Sequence, residues 1–144
     1  MKYVVMLGRI LYSLVFVMTI QSHFSEQSIA YATAKGVPFA WLVVPVSGVM
    51  AILGGLSVAL GYKAKFGAWL LVLFLVPVTV MMHNFWAVAD PMMARMQQGM
   101  FVKNLAMLGS AFLIAHFGSG PLSLDALVKA RHARAVHGKQ PLIA

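Results

Sequence analysis

The chain contains no cysteine, and only three of its 144 residues are acidic: Glu26, Asp90 and Asp125. The first absence removes disulfides, thiolate metal sites, Cys-x-x-Cys redox chemistry and iron–sulfur clusters held by this chain. The second leaves little for paired-carboxylate catalysis. Glu26 is the sole glutamate, and the topology derived below puts Asp90 and Asp125 at opposite ends, so they cannot share a site. Charge is scarce altogether: Asp, Glu, Lys and Arg make up 10% of the residues, against about 25% in an ordinary soluble domain. A chain with so few charges cannot coat a water-facing globule. Gly-x-Gly-x-x-Gly, P-loop and Gly-x-Ser-x-Gly motifs are absent as well.

What is present is apolar. Hydrophobic residues make up 61% of the chain, gathered into runs over about 4–20, 39–61, 66–82 and 100–117. Roughly 17–25 helical residues span a hydrocarbon core of about 30 Å, so each run predicts a membrane-crossing helix. The fold expected is all-α, a bundle of four transmembrane helices with short interfacial helices in the outer loops and at the C-terminus. Arg9 interrupts the first run, and no small-residue cleavage site follows it at Gln21-Ser22-His23, which argues against a signal peptide. Ser25 before Glu26–Lys35, Asp90-Pro91, and Ser123 after Gly118-Ser119-Gly120-Pro121 are helix-start signals; Gly36 is a stop. The chain divides into a single membrane domain over 1–126 and a basic cytoplasmic tail over 127–144, loose from Gly138 onward.

The formal charge of +8 does not point to nucleic acid, because the cations punctuate apolar runs and form no aromatic-interleaved patch. Four spans put Lys2, Arg9, Lys63, Lys65, Lys129, Arg131, Arg134 and Lys139 on one side, with Lys35, Arg95 and Lys103 on the other. The positive-inside rule makes the first side cytoplasmic, with both chain ends on it.

Ionisable groups within lipid are functional candidates by default. Arg9 is expected either to snorkel to the headgroups or to form a structural ion pair with Asp125 on the same side. At the other side, His23 and His83 end the first and third spans near Asn84, Trp86, Lys103 and Asn104. These residues form the candidate ligand-binding cluster, since imidazole, amide and ammonium groups can hydrogen-bond a polar head such as a quinone carbonyl. No catalytic or metal-ligating set is assigned, because the two histidines lack His-x-x-His or Glu-x-x-His spacing. Met92, Met93, Met96 and Met100 recur at helical spacing and read as packing or lipid contact. Gly54-Gly55 and Gly67-Ala68, with Gly8, Gly48 and Gly109, read as points of close helix approach.

In order and spacing, Tyr31–Pro38, Leu53–Leu56 with Leu60–Lys65, His83–Trp86 with Asp90-Pro91, Phe101–Leu105 and Gly118–Asp125 follow a pattern that begins at Gly8-Arg9. Over about residues 5–126 that pattern resembles the DoxX family of small bacterial inner-membrane proteins. The resemblance implies a multi-pass protein of the cell inner membrane, with relatives tied to thiosulfate:quinone oxidoreduction and to membrane oxidoreductase complexes. The chain departs from the family at Met50-Ala51-Ile52-Leu53, where members often carry a glutamate ahead of the Gly-Gly pair.

Three functions are carried forward as expectations. The first is a scaffold or accessory subunit of a membrane complex without chemistry of its own. The second is a quinone-interacting subunit of a membrane oxidoreductase system. The third is a binder or carrier of a small lipophilic molecule. The expected partners are the lipid bilayer and a membrane protein or redox complex, with no nucleic acid. No cofactor is carried covalently, and a quinone is the one the resemblance admits.

Overall fold

A computed structural model describes residues 2–137, which form α1 (Lys2–Met18), α2 (Glu26–Ala34), α3 (Ala40–Leu60), α4 (Ala64–Met82), α5 (Pro91–Phe117) and α6 (Leu124–His137). Single 3-10 turns lie at Ser22–Phe24 and Phe85–Ala87. Four segments, built on α1, α3, α4 and α5, are long and apolar enough to cross a membrane, so the expected all-α four-span bundle forms. The expectation of a loose end from Gly138, with Lys139 in it, lies outside the described residues.

Local chemistry accounts for the helix ends. The Ser25 hydroxyl accepts the Ser28 amide at 3.3 Å and starts α2, and Gly36, at φ 78°, lies just beyond its end. Asp90 accepts the Met93 amide at 2.7 Å ahead of Pro91, so α5 begins at Pro91 and not where the apolar run begins at Met100. Its 27 residues reach about 40 Å, longer than a hydrocarbon core of about 30 Å. Ser123 accepts the Ala126 amide at 3.1 Å and opens α6, the helix expected at that position.

Among lipid tails, apolar side chains gain nothing from leaving their solvent, so helices associate through close packing and hydrogen bonds. Gly54 and Gly55 of α3 supply that closeness in two directions. A Cβ on Gly54 would stand 2.9 Å from the Gly67 carbonyl oxygen and 2.8 Å from Leu71, both on α4. One on Gly55 would stand 3.2 Å from Phe16 Cβ on α1. Around this point Phe16, Ala51, Val58, Ala68, Leu71, Phe74 and Leu75 form the buried core. The ring closes where the Tyr12 hydroxyl of α1 donates to the Met107 carbonyl of α5 at 3.1 Å. Gly48 packs against His23, as expected, whereas Gly8 and Gly109 face open space and do not serve helix approach within the chain.

Alternating spans bring the start of α1 and the segment between α5 and α6 to one end of the bundle. There Val5 of α1 approaches Gly120, and the Lys65 stem crosses Gly118. This is the basic end; α2 and the loops after α1 and α4 make the opposite one.

The two kinds of glycine make a paired test. Gly54→Val is expected to destabilise the protein by roughly 1–3 kcal/mol through overpacking against α4. Gly109→Ala should leave stability unchanged or raise it, because a new methyl meets nothing and glycine is the poorer helix former. Thermal unfolding in detergent compares them, and equal effects would sink this account of the α3–α4 contact.

Candidate functional site

Each end of the bundle gathers polar groups. At the basic end Arg9 is buried, 4% exposed, and does not snorkel. Its guanidinium lies beneath Gly61, in the space a side chain there would need, and Nη2 donates to the Leu122 carbonyl at 2.8 Å. The expected pairing with Asp125 takes an indirect form. The Asp125 carboxylate accepts the Lys63 amide at 2.9 Å, and the Asp125 amide donates to the Gly61 carbonyl at 2.9 Å. Arg9 thus grips the loop before α6, while Asp125 grips the turn between α3 and α4. A half-exposed carboxylate satisfied in this way supplies nearby negative charge without direct contact. Arg9 Nε and Nη1 and the Ser13 hydroxyl, one turn on, have no partner among the described residues. This end reads as an architectural lock.

The opposite end holds a cavity of about 460 Å³ between the outer halves of α3 and α4, roofed by α2. Its walls are mainly Val, Leu, Met and Phe; His23, His83, Tyr31 and three serines (22, 28 and 47) supply the polar groups. His23 Nδ1 lies 2.9 Å from the Thr19 carbonyl oxygen, which can only accept, so Nδ1 carries the proton. His83 Nδ1 lies 2.8 Å from Gln97 Oε1, and with that amide assignment it too donates. In the neutral ring each Nε2 is then left as an acceptor. Pro77 adds another: lacking an N–H, it deprives the Leu73 carbonyl of its regular helical donor. The cavity therefore pairs mostly apolar walls with a few polar side chains, a setting for a largely apolar ligand that carries a small polar group.

The structure divides the expected ligand-binding residues. It brings His23 and His83 onto one cavity. Asn84 sits at its margin, where Oδ1 accepts Lys35 Nζ at 3.2 Å. Trp86 instead packs edge-on against Phe85 and Phe101, with ring centres at 5.2 and 5.8 Å. Lys103 is exposed and turns to Met100 Sδ of its own helix at 3.4 Å. Asn104 is buried two turns beyond Gln97, away from the cavity. Helical direction explains the split, since residues 103 and 104 lie about 100° apart around α5 and cannot face one point.

Gln97 and Tyr31 were not expected in the cluster. Gln97 is buried, 9% exposed, and its Nε2 reaches the Tyr31 hydroxyl at 3.5 Å while its oxygen holds His83. With Lys35–Asn84, this chain ties α2 across the bundle end. The available signal was the run Gln97, Asn104, Ala111 at a seven-residue spacing, the buried stripe of α5. It emerges once the helix is started at Pro91. Among the described residues no group of three His, Asp or Glu side chains gathers to hold a metal.

Asp125 supplies a pH test. Burial pushes its carboxyl up, but the Lys63 and Ala64 amides, the Ser119 hydroxyl and the charge of Lys129 outweigh that and hold it below the usual carboxylate range. With a folded pKa below the unfolded value of about 3.9, the group contributes stability above about pH 4 and loses it as pH falls through the folded value. Asp125→Asn should therefore be less stable than the natural chain near neutral pH, with a narrower gap at about pH 3. Thermal unfolding at both pH values checks this; a constant gap would refute it.

A model of the SURF4 family matches residues 1–131. The chain is also 29% identical over 123 residues to ER-derived vesicles protein ERV29 of Saccharomyces cerevisiae, an alignment covering 85% of this chain and 33% of that protein. The chain thus spans about a third of the length of the curated relative it matches. No solved structure matches. These findings overturn the DoxX resemblance, and the bacterial inner membrane, the oxidoreductase association and the quinone lose their basis with it. Small residues at helix contacts, capped loops and cations at one end are demands that the bilayer makes of any such bundle, so motifs of that kind recur without kinship.

Proposed function

The chain belongs to the SURF4 family, and from that premise we propose that it is a membrane-embedded receptor without chemistry of its own, whose α2-roofed cavity takes an apolar, donor-bearing segment of a partner protein. The carrying observation is the cavity itself: about 460 Å³ of mostly apolar wall, within the range of roughly 300–1,000 Å³ typical of ligand sites. His23 Nε2, His83 Nε2 and the Leu73 carbonyl supply acceptors, which suit the N–H groups of an extended peptide. The relative's name attaches it to ER-derived vesicles, which supports the membrane of a vesicle-forming compartment for this chain too. With the basic end in the cytosol, as the cation bias favours, the cavity lies on the lumenal side, where a secreted or lumenal partner would arrive. The mostly apolar wall of the site also favours a second reading, a small lipophilic molecule entering from the bilayer.

The test uses the full chain in detergent and a short Leu/Val-rich peptide carrying a benzophenone. Saturable crosslinking is expected to residues of α3 and α4 around the cavity. Ser47→Phe, which fills the cavity, should weaken binding at least about tenfold, or about 1.4 kcal/mol. Val80→Phe, exposed and off the cavity, should not weaken it. Thermal unfolding of each variant separates misfolding from blockade. Non-saturable labelling, or labelling indifferent to Ser47→Phe, would remove the receptor reading. Saturable capture of a lipophilic diazirine but not of the peptide would transfer the site to the second.

A further inference from the structure

The basic end holds a second cavity, of about 700 Å³, between the start of α4, the end of α5 and the start of α6. Neither the lock formed by Arg9 nor the proposed receptor site uses it. Lys63, Lys65 and Lys129 line it together with Asp125, the one carboxylate there. That carboxylate is already engaged, accepting the Lys63 amide at 2.9 Å, with the Ala64 amide and the Ser119 hydroxyl also holding it as an anion. Three lysines therefore border a space whose single negative charge is already committed. The Lys63 ammonium stands 5.7 Å from the centre of the Tyr62 ring, and the Lys65 stem lies across Gly118. Gly118, at φ 80°, has no side chain to occupy this floor.

The walls add a second requirement. Phe66, at the start of α4, and Phe117, at the end of α5, line the same cavity and are 64% and 74% exposed. Both lie at the ends of membrane-spanning helices, so their outward faces meet acyl chains or the headgroup boundary. An anion that fits here has a compact negative head among the lysines and an apolar body along the two phenylalanines. Each cation close to a membrane surface contributes about 1 kcal/mol of attraction to anionic lipid, and a cavity that gathers three of them concentrates this at one point.

We propose that this cavity is a discrete site for the phosphate headgroup of an anionic phospholipid, held by Lys65 and Lys129 with Lys63 beside them and flanked by Phe66 and Phe117. Bound there, the lipid joins the ends of α4, α5 and α6 and so stabilises the basic end of the bundle from the bilayer side.

The experiment is native mass spectrometry of the full chain released from mixed phosphatidylserine and phosphatidylcholine nanodiscs. The natural chain is expected to retain one phosphatidylserine in preference to phosphatidylcholine. Lys65→Gln with Lys129→Gln should cut that retention about tenfold or more. Arg131→Gln with Arg134→Gln removes the same charge from the exposed stretch of α6 and should leave retention near its natural level. Both pairs change exposed side chains, and thermal unfolding verifies that they fold. No preference for phosphatidylserine, or equal losses from the two double variants, would overturn a discrete site. Displacement of the retained lipid by millimolar inorganic phosphate would overturn the lipid assignment in favour of a soluble phosphate.

Discussion

Two adjacent glycines in the middle of α3 govern the bundle. Gly54 lets the helix meet α4 at backbone distance, and Gly55 does the same toward α1. Where lipid surrounds the helices, no hydrophobic force drives them together, and association depends on how closely backbones can approach. The aromatic column from Tyr12 through Phe16 to Phe74, with ring centres 5.2 and 6.1 Å apart, fills the space that this double approach encloses. His23 packs on the far side of Phe74 at 5.5 Å, so the column ends at the floor of the α2-roofed cavity. The contact that assembles the spans therefore also positions the site.

The two ends of the bundle differ in how they treat charge. At the basic end, buried Arg9 ties α1 to the segment before α6, and Asp125 ties the start of α6 to the α3–α4 turn, both through backbone partners, which cross-braces the structure. At the other end, polar side chains are divided between holding α2 in place and standing free. Lys35–Asn84 and His83–Gln97–Tyr31 do the holding. The groups left over stand beside apolar walls, an arrangement suited to capture. A receptor reading fits this division of labour.

Much of this organisation was legible beforehand. Run length and composition predicted four spans, because crossing about 30 Å of hydrocarbon demands them. Asp90-Pro91 predicted the true start of α5, and Ser25 and Ser123 predicted the short helices, because orphan amides at a helix start need an acceptor. His23 and His83 stood out as polar groups at the ends of spans, against apolar neighbours, and the two line one cavity. Lys103 and Trp86 were grouped with them by depth alone, and depth says nothing about direction around a helix. Kinship misled for a related reason: motifs imposed by bilayer physics are weak evidence of family.

The linear order of residues determined that this protein lives in a bilayer, how many times it crosses, and that its cations gather at one end. Those properties follow from transfer free energies and helix-end chemistry, which act locally and can be summed along a chain. Only the tertiary structure decided that Arg9 meets Leu122, that Gln97 holds His83, and that two histidines sixty positions apart line one cavity. Those facts depend on the rotation of each helix about its axis, and packing between helices sets that rotation.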